Sequence, residues 1–258
     1  MNLQYFQSLT RDELTNLASS GAAVLVPLGA TEQHGPHLPS YTDSLICESI
    51  CETAISRLNT QTPLIITPML SMGCSQHHLA FGGTISFRSS TYLAMLQDIG
   101  ESLFSCGFTK IIFLNSHGGN ESIMLQVAND LLVKHPIWVA AASYWNLVPT
   151  PIREQLKEEI GPMPGHAGIF ETALVKALRP QWVKEDCMVT EHDSLPWLST
   201  GMPNTLLGTH GLLTGRQGYT DAPIQATIEM GQQSLEIITQ HVTDWLELTL
   251  QTMEKTEC

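Results

Sequence analysis

Residues 29–43 read G-A-T-E-Q-H-G-P-H-L-P-S-Y-T-D, which gathers Glu32, His34, His37 and Asp43 in one short stretch. Glu32 and His34 are two apart, so in an extended chain their side chains emerge on one side while Gln33 points away. Asp43 can return to them across a loop punctuated by Gly35, Pro36 and Pro39. Carboxylate oxygens and imidazole nitrogens converging on one point suit a divalent transition ion such as zinc or manganese. Ionisable groups ending an apolar run are costly unless partnered, which gives Glu32 and His34 most of the weight. His37 is expected at the rim, or behind the ligands.

A second stretch, residues 110–121, reads K-I-I-F-L-N-S-H-G-G-N-E. A strand ends, His117 appears, Gly118 and Gly119 follow, and a helix begins. Such glycines open backbone conformations closed to other residues and leave amide N–H groups uncovered near a helix N-terminus. The turn could take an anion or a developing oxyanion beside whatever His117 holds. In the third stretch, residues 165–172 (G-H-A-G-I-F-E-T), His166 stands at a helix entrance and Glu171 in its first turns. One could donate a proton while the other acts as base or further ligand. His77 and His78 are candidate substrate contacts. His135, His192, His210 and His241 read as structural, and Trp182, Trp197 and Trp245 as core.

Residues 22–28, 63–68, 110–114 and 137–142 are apolar throughout rather than alternating, the pattern of strands buried on both faces. Residues 44–58, 91–106 and 121–134 carry helical periodicity. The alternation predicts a mostly parallel sheet with helices on both sides, whose crevice lies at the carboxyl ends of the strands. Glu32, His34 and His117 all follow such strands, on that one rim. A last helix is expected from Asp221-Ala222-Pro223, with Asp as cap and a stripe of Ile224, Ile228, Leu235, Ile238, Val242 and Trp245. Residues 179–219 read as loop or pocket wall.

The 258 residues, 43% hydrophobic and 14% charged, are compatible with one large α/β domain over residues 1–258. A formal net charge of −13 disfavours nucleic-acid and anionic-membrane partners. The six cysteines show no C-x-x-C spacing, which fits a reducing compartment. With no signal-peptide pattern and no membrane-length apolar run, a cytoplasmic protein is expected.

Taken together, these stretches resemble the creatininase (creatinine amidohydrolase) family. The likeness runs from residues 29–43 through 82–86 (G-G-T-I-S), 115–120 and Ser143-Tyr144-Trp145 to 166–171, with a weaker echo at 218–223 (G-Y-T-D-A-P). The resemblance implies a three-layer α/β/α sandwich with a mostly parallel central sheet, a homo-oligomer (often a hexamer), and two divalent ions among zinc, manganese and iron. It implies Glu32, His34, Asp43 and His117 as metal ligands, Asp43 as the bridge, and His166 with Glu171 as the proton-transfer and water-activating pair. A small-molecule substrate would meet His78, Gly118, Gly119, Asn120 and Trp145.

Two departures matter. Creatininases themselves carry an aromatic residue and then a metal-binding glutamate after the ligand histidine, where this chain has Gly118 and Gly119. Glu171 or water must then complete the second ion's shell. Of the pocket-closing tryptophans, Trp145 is present, but Pro162 stands four before His166. The expected activity is metal-dependent hydrolysis of a C–N bond in a small cyclic amide or formamide, with creatinine itself disfavoured. The alternatives are a modified sugar or a peptide as substrate, or a non-catalytic metal- or metabolite-binding protein. Serine-hydrolase chemistry lacks its G-x-S-x-G elbow.

Overall fold

The computed structural model describes residues 3–190 and 217–255. Its middle layer is a parallel sheet of β1 (Gln4–Tyr5), β2 (Ala23–Leu28), β3 (Leu64–Ile66), β4 (Lys110–Asn115) and β5 (Trp138–Ser143), in the order β1-β3-β2-β4-β5. The central strands are apolar throughout because each face meets a different core. In β2, Ala23 and Leu25 enter one cluster while Val24, Val26 and Leu28 enter the other; Ile112 and Leu114 of β4 part from Ile111 and Phe113 in the same way.

The first cluster is roofed by α2 (Thr42–Arg57), α5 (Tyr144–Leu147), α6 (Thr150–Ile160), α7 (Ile169–Leu178) and α8 (Ile228–Lys255). The second is roofed by α1 (Arg11–Ser19), α3 (Ser89–Ser105) and α4 (Glu121–Lys134). The arrangement is the expected α/β/α sandwich. Among the described residues, no helix is long and apolar enough to cross a membrane.

Several local expectations are corrected. β1 was not anticipated; two residues are too short to show a period. Trp138–Ala142 of β5 are only half-buried, because this strand lies at the sheet edge. Helix α2 begins at Thr42, two residues early, so Asp43 sits in a helical first turn rather than in the preceding loop. The last helix begins at Ile228; Pro223–Gln225 is a separate 3-10 turn, and Ala226 is extended. Ile224 and Ile228 are exposed, and the buried stripe runs through Ile238, Val242, Leu246, Leu250 and Met253. Asp221 instead caps α7, accepting the Ile169 N–H at 2.6 Å. His192, Trp197, His210 and most of residues 179–219 lie outside the described residues.

Helices α7 and α8 pack at close quarters through Gly231, where a Cβ would stand 1.9 Å from the Ala173 carbonyl oxygen. Replacing a helical glycine by alanine ordinarily stabilises by up to about 1 kcal/mol. Here backbone overlap dominates, and G231A is expected to lower stability by about 1–3 kcal/mol. A denaturant midpoint at or above that of the parent would refute the contact.

Candidate metal centre

Strand register brings the candidate residues to one rim. Leu28 pairs with Asn115, and Asn115 with Ser143, so the chain leaves β2, β4 and β5 at the same level. The β2 exit is tied to its neighbours: Ser116 Oγ donates to the Asp43 and Leu28 carbonyls, and Asn120 Nδ2 donates to the Gly29 carbonyl. A Cβ on Gly29 would fall 2.5 Å from Ser44 Oγ, so only glycine lets α2 approach closely enough to deliver Asp43. Asp43 and Glu171 both stand in the first turns of helices, where the dipole favours a carboxylate.

Glu32, His34, Asp43, His117, His166 and Glu171 are all buried together. Asp43 turns one oxygen to each of two histidines: Oδ1 lies 3.4 Å from His34 Nε2, and Oδ2 lies 3.3 Å from His117 Nδ1. Glu32 Oε1 is 3.3 Å from His117 Nδ1 and 3.7 Å from His166 Nδ1, while Glu171 Oε2 is 3.6 Å from His34 Nε2. Donors held tetrahedrally around zinc at its usual bond length stand about 3.3 Å apart. Glu32 Oε2, His34 Nε2 and Asp43 Oδ2 are buried without a hydrogen-bond partner. Buried polar groups rarely stay unsatisfied, so this donor set fits a cation.

The far side of each ring supports that fit. His34 Nδ1 lies 3.1 Å from the Glu32 carbonyl, His117 Nε2 3.2 Å from the Cys74 carbonyl, and His166 Nε2 3.0 Å from the Gln33 carbonyl. A carbonyl only accepts, so in the neutral rings these nitrogens carry the proton and the opposite lone pairs face the carboxylates, as in metal-ligating histidines. His78 is set the other way. Gln33 Nε2 donates to His78 Nδ1 at 2.8 Å, leaving the His78 proton on Nε2, 3.2 Å from Glu32 Oε1. The Gln33 amide is itself oriented by backbone groups, donating to Gly218 O and accepting from Gly35 N.

Electrostatics follow from this packing. Burial opposes charge on Glu32, yet the His117 and His78 rings outweigh it and hold its carboxyl well below the usual range. Burial likewise opposes charge on His34 and His117, but Asp43 and Glu171 raise the one, and Glu32 and Asp43 the other, well above the ordinary histidine value. His166 is pushed well below it, first by burial and then by His34 and His78. Burial raises Glu171. His77 is lowered to about 4, mainly by burial and then by His78.

A cavity of about 460 Å³ opens on the cluster, lined also by His77, His78, Gly118, Gly119, Ser122 and Gly165. Not every candidate reaches it. Asn120 is fully buried and spent on ties to Cys74, Gly29 and Asn115. Trp145 packs in the core, edge-on to Tyr144 at 5.1 Å, rather than walling the cavity. Gly119 is a packing necessity, since its Cβ would stand 2.1 Å from the Cys74 carbonyl oxygen, whereas nothing lies within 4 Å of a Cβ on Gly118. Of the two placements expected for His37, the rim is not the one found: it is buried, its Nε2 2.8 Å from Thr172 Oγ1. Sequence reasoning missed Gln33 as a contact of His78 and His166. Alternation turned it away from Glu32, but the face it meets is built by distant segments.

Fold and donors together define a class: a parallel α/β/α protein with a carboxylate–imidazole cluster at the carboxyl rim of its sheet. The chain belongs to the creatininase family, whose model, described as creatinine amidohydrolase, matches residues 7–246. It is 27% identical to the creatinine amidohydrolase of Pseudomonas putida over 88% of this chain and 90% of that protein. It is 36% identical to the mycofactocin precursor peptide peptidase of Mycobacterium tuberculosis over 41% of this chain, a match spanning 44% of that relative's length. A solved structure described as "Creatininase Mn" superposes with a TM-score of 0.80 at 26% identity, covering 96% of this chain and 99% of that one.

A cation entering this cluster must displace protons from His34 and His117, because the carboxylates raise both rings above their ordinary pKa. Falling pH fills those rings and opposes the cation. Zinc affinity is therefore expected to weaken by about tenfold or more between pH 8 and pH 6, with proton release on binding. Calorimetric titration in buffers of different ionisation heat measures both, and a pH-independent affinity would contradict the assignment.

Proposed function

We propose that the chain is a metal-dependent hydrolase cleaving a C–N bond in a small cyclic amide or formamide. The observation that carries this reading is Asp43, whose two buried oxygens face histidines from two separate segments, His34 and His117. Glu32, His34, Asp43 and His117 would hold the cations, with Asp43 between them and Glu171 beside His34. The ions are divalent, from zinc, manganese and iron, and family resemblance supports two of them. When bound, they supply Lewis acidity, acidifying water towards neutral pH and polarising a carbonyl oxygen.

The protein's own groups handle the protons. Glu171, raised by burial and held by the Ala167 N–H at 2.6 Å, takes the proton of the attacking water. His166 is kept neutral, its Nε2 proton engaged by Gln33, so Nδ1 is free to receive a proton and pass it to the departing nitrogen. Water oxygen joins the carbonyl carbon, the C–N bond breaks, and the amine leaves neutral. The loop carrying His166 is fastened from residues 220–221: Thr220 Oγ1 accepts the His166 N–H at 2.8 Å, and Asp221 accepts that of Ile169.

Two observations favour a peptide as the second reading: the likeness to a peptide peptidase, and the open space at Gly118, where creatininases carry an aromatic residue. The resemblance also supports a homo-oligomer, and Val133 of α4, 90% exposed, is an apolar side chain that such an interface could cover.

Dialysis against a chelator is expected to abolish turnover of a cyclic-amide and formamide panel, and zinc or manganese to restore it. D43A should bind metal poorly and stay inactive; full activity in chelated enzyme or in D43A would end the metal reading. H166A is expected to keep its metal and lose about 10²–10⁴-fold in kcat, a general acid–base magnitude. G118F should spare the smallest amides and reject bulkier or peptide substrates. Equal loss across the panel would show that Gly118 does not set substrate size.

A further inference from the structure

His77 lines the same cavity as Glu32, Asp43 and His117. Its ring packs on two others, His78 at 4.3 Å and His117 at 5.8 Å, the latter nearly parallel at 4°. A His77 ring nitrogen, a Glu32 oxygen and a His117 nitrogen all lie within 4.8 Å of one another. Two other sets, Glu32 with His34 and His166, and His34 with Asp43 and Glu171, meet the same criterion. Glu32 Oε2 is buried with no hydrogen-bond partner, so the first set includes a carboxylate oxygen in need of a positive charge.

The neighbouring groups narrow the choice of a further donor. His78 is excluded in its neutral form, because Gln33 leaves the proton on the nitrogen that faces Glu32. A side chain from position 119 is excluded as well: its Cβ would stand 2.1 Å from the Cys74 carbonyl oxygen and 3.2 Å from His77 Cε1. Where creatininases bring a glutamate from the residue two after the ligand histidine, this chain has a crowded glycine with an imidazole beside it. We propose that His77 is a further protein ligand of one cation, added to Glu32, His117 and the Asp43 oxygen that faces His117, while His34, the other Asp43 oxygen and Glu171 serve the second. An added imidazole brings no charge to that site and shifts its preference towards zinc over manganese.

The inference rests on the metal-dependent reading, and the experiment separates the two. Chelator-stripped full-length protein is titrated with zinc, and with cobalt(II), whose visible absorption reports ligand number and geometry. The parent is expected to take up two equivalents. H77A should retain one at parental affinity and bind the other at least about tenfold to a hundredfold more weakly, with a changed cobalt spectrum. H77E should recover the second equivalent through an oxygen donor. H77Q fills the volume with a weak ligand and should behave as H77A does, which separates coordination from packing; circular dichroism and unfolding midpoints confirm the fold. Two equivalents at parental affinity and an unaltered cobalt spectrum in H77A and H77Q would overturn the assignment while leaving the metal reading intact. A parent that binds no metal would overturn both.

Discussion

Three carboxylates and three imidazoles share one buried pocket, and the rest of the structure is arranged around their mutual neutralisation. Taking an isolated carboxylate out of water costs several kcal/mol after relaxation, far more than a domain can spare several times over. The cluster persists because every carboxylate faces at least one imidazole, with Asp43 facing two and Glu32 three. Even so, the match is incomplete. Glu32 Oε2, His34 Nε2 and Asp43 Oδ2 lack hydrogen bonds, and their neighbours stand at distances suited to donors around a common ion.

Holding such a cluster open requires a rigid frame, and the frame is mostly backbone. Carbonyls of Glu32, Gln33 and Cys74 take the far protons of His34, His166 and His117, which turns the remaining lone pairs inwards. Side-chain amides do the same for the loops: Asn115 and Asn120 stitch the β4 exit to Gly29, Ser143 and Cys74. Gln33 joins three distant segments through one amide, touching His78, His166 and Gly218. Asn120 thus serves the site by fixing the backbone that carries His117, without facing the cavity.

The family pattern is kept in the carboxylate–imidazole cluster and altered at the cavity wall. Glu32, His34, Asp43 and His117 converge, whereas the positions after His117 are Gly118 and Gly119. The two glycines have different physical reasons. Gly119 admits no side chain because the Cys74 carbonyl occupies its space, while Gly118 leaves room that a larger residue could fill. One is fixed by packing and the other is open to function, a distinction invisible in the letters G-G.

The sequence alone determined the layered fold and the rim. Short apolar runs alternating with helical periodicity read as strands of a covered parallel sheet, and the crevice of such a sheet follows from that topology. It also singled out Glu32 and His34, because ionisable groups ending buried strands need partners, and the family resemblance added Asp43 and His117 as expected ligands. Tertiary structure decided what spacing cannot encode. That Asp43 faces two histidines at once depends on the parallel register of β2 and β4 and on the early start of α2. That Trp145 joins the core, Asp221 caps a distant helix and His77 stands beside Glu32 depends on contacts between segments far apart in the chain. Local periodicity carries no information about such contacts, because they arise only when separate elements compete for the same space.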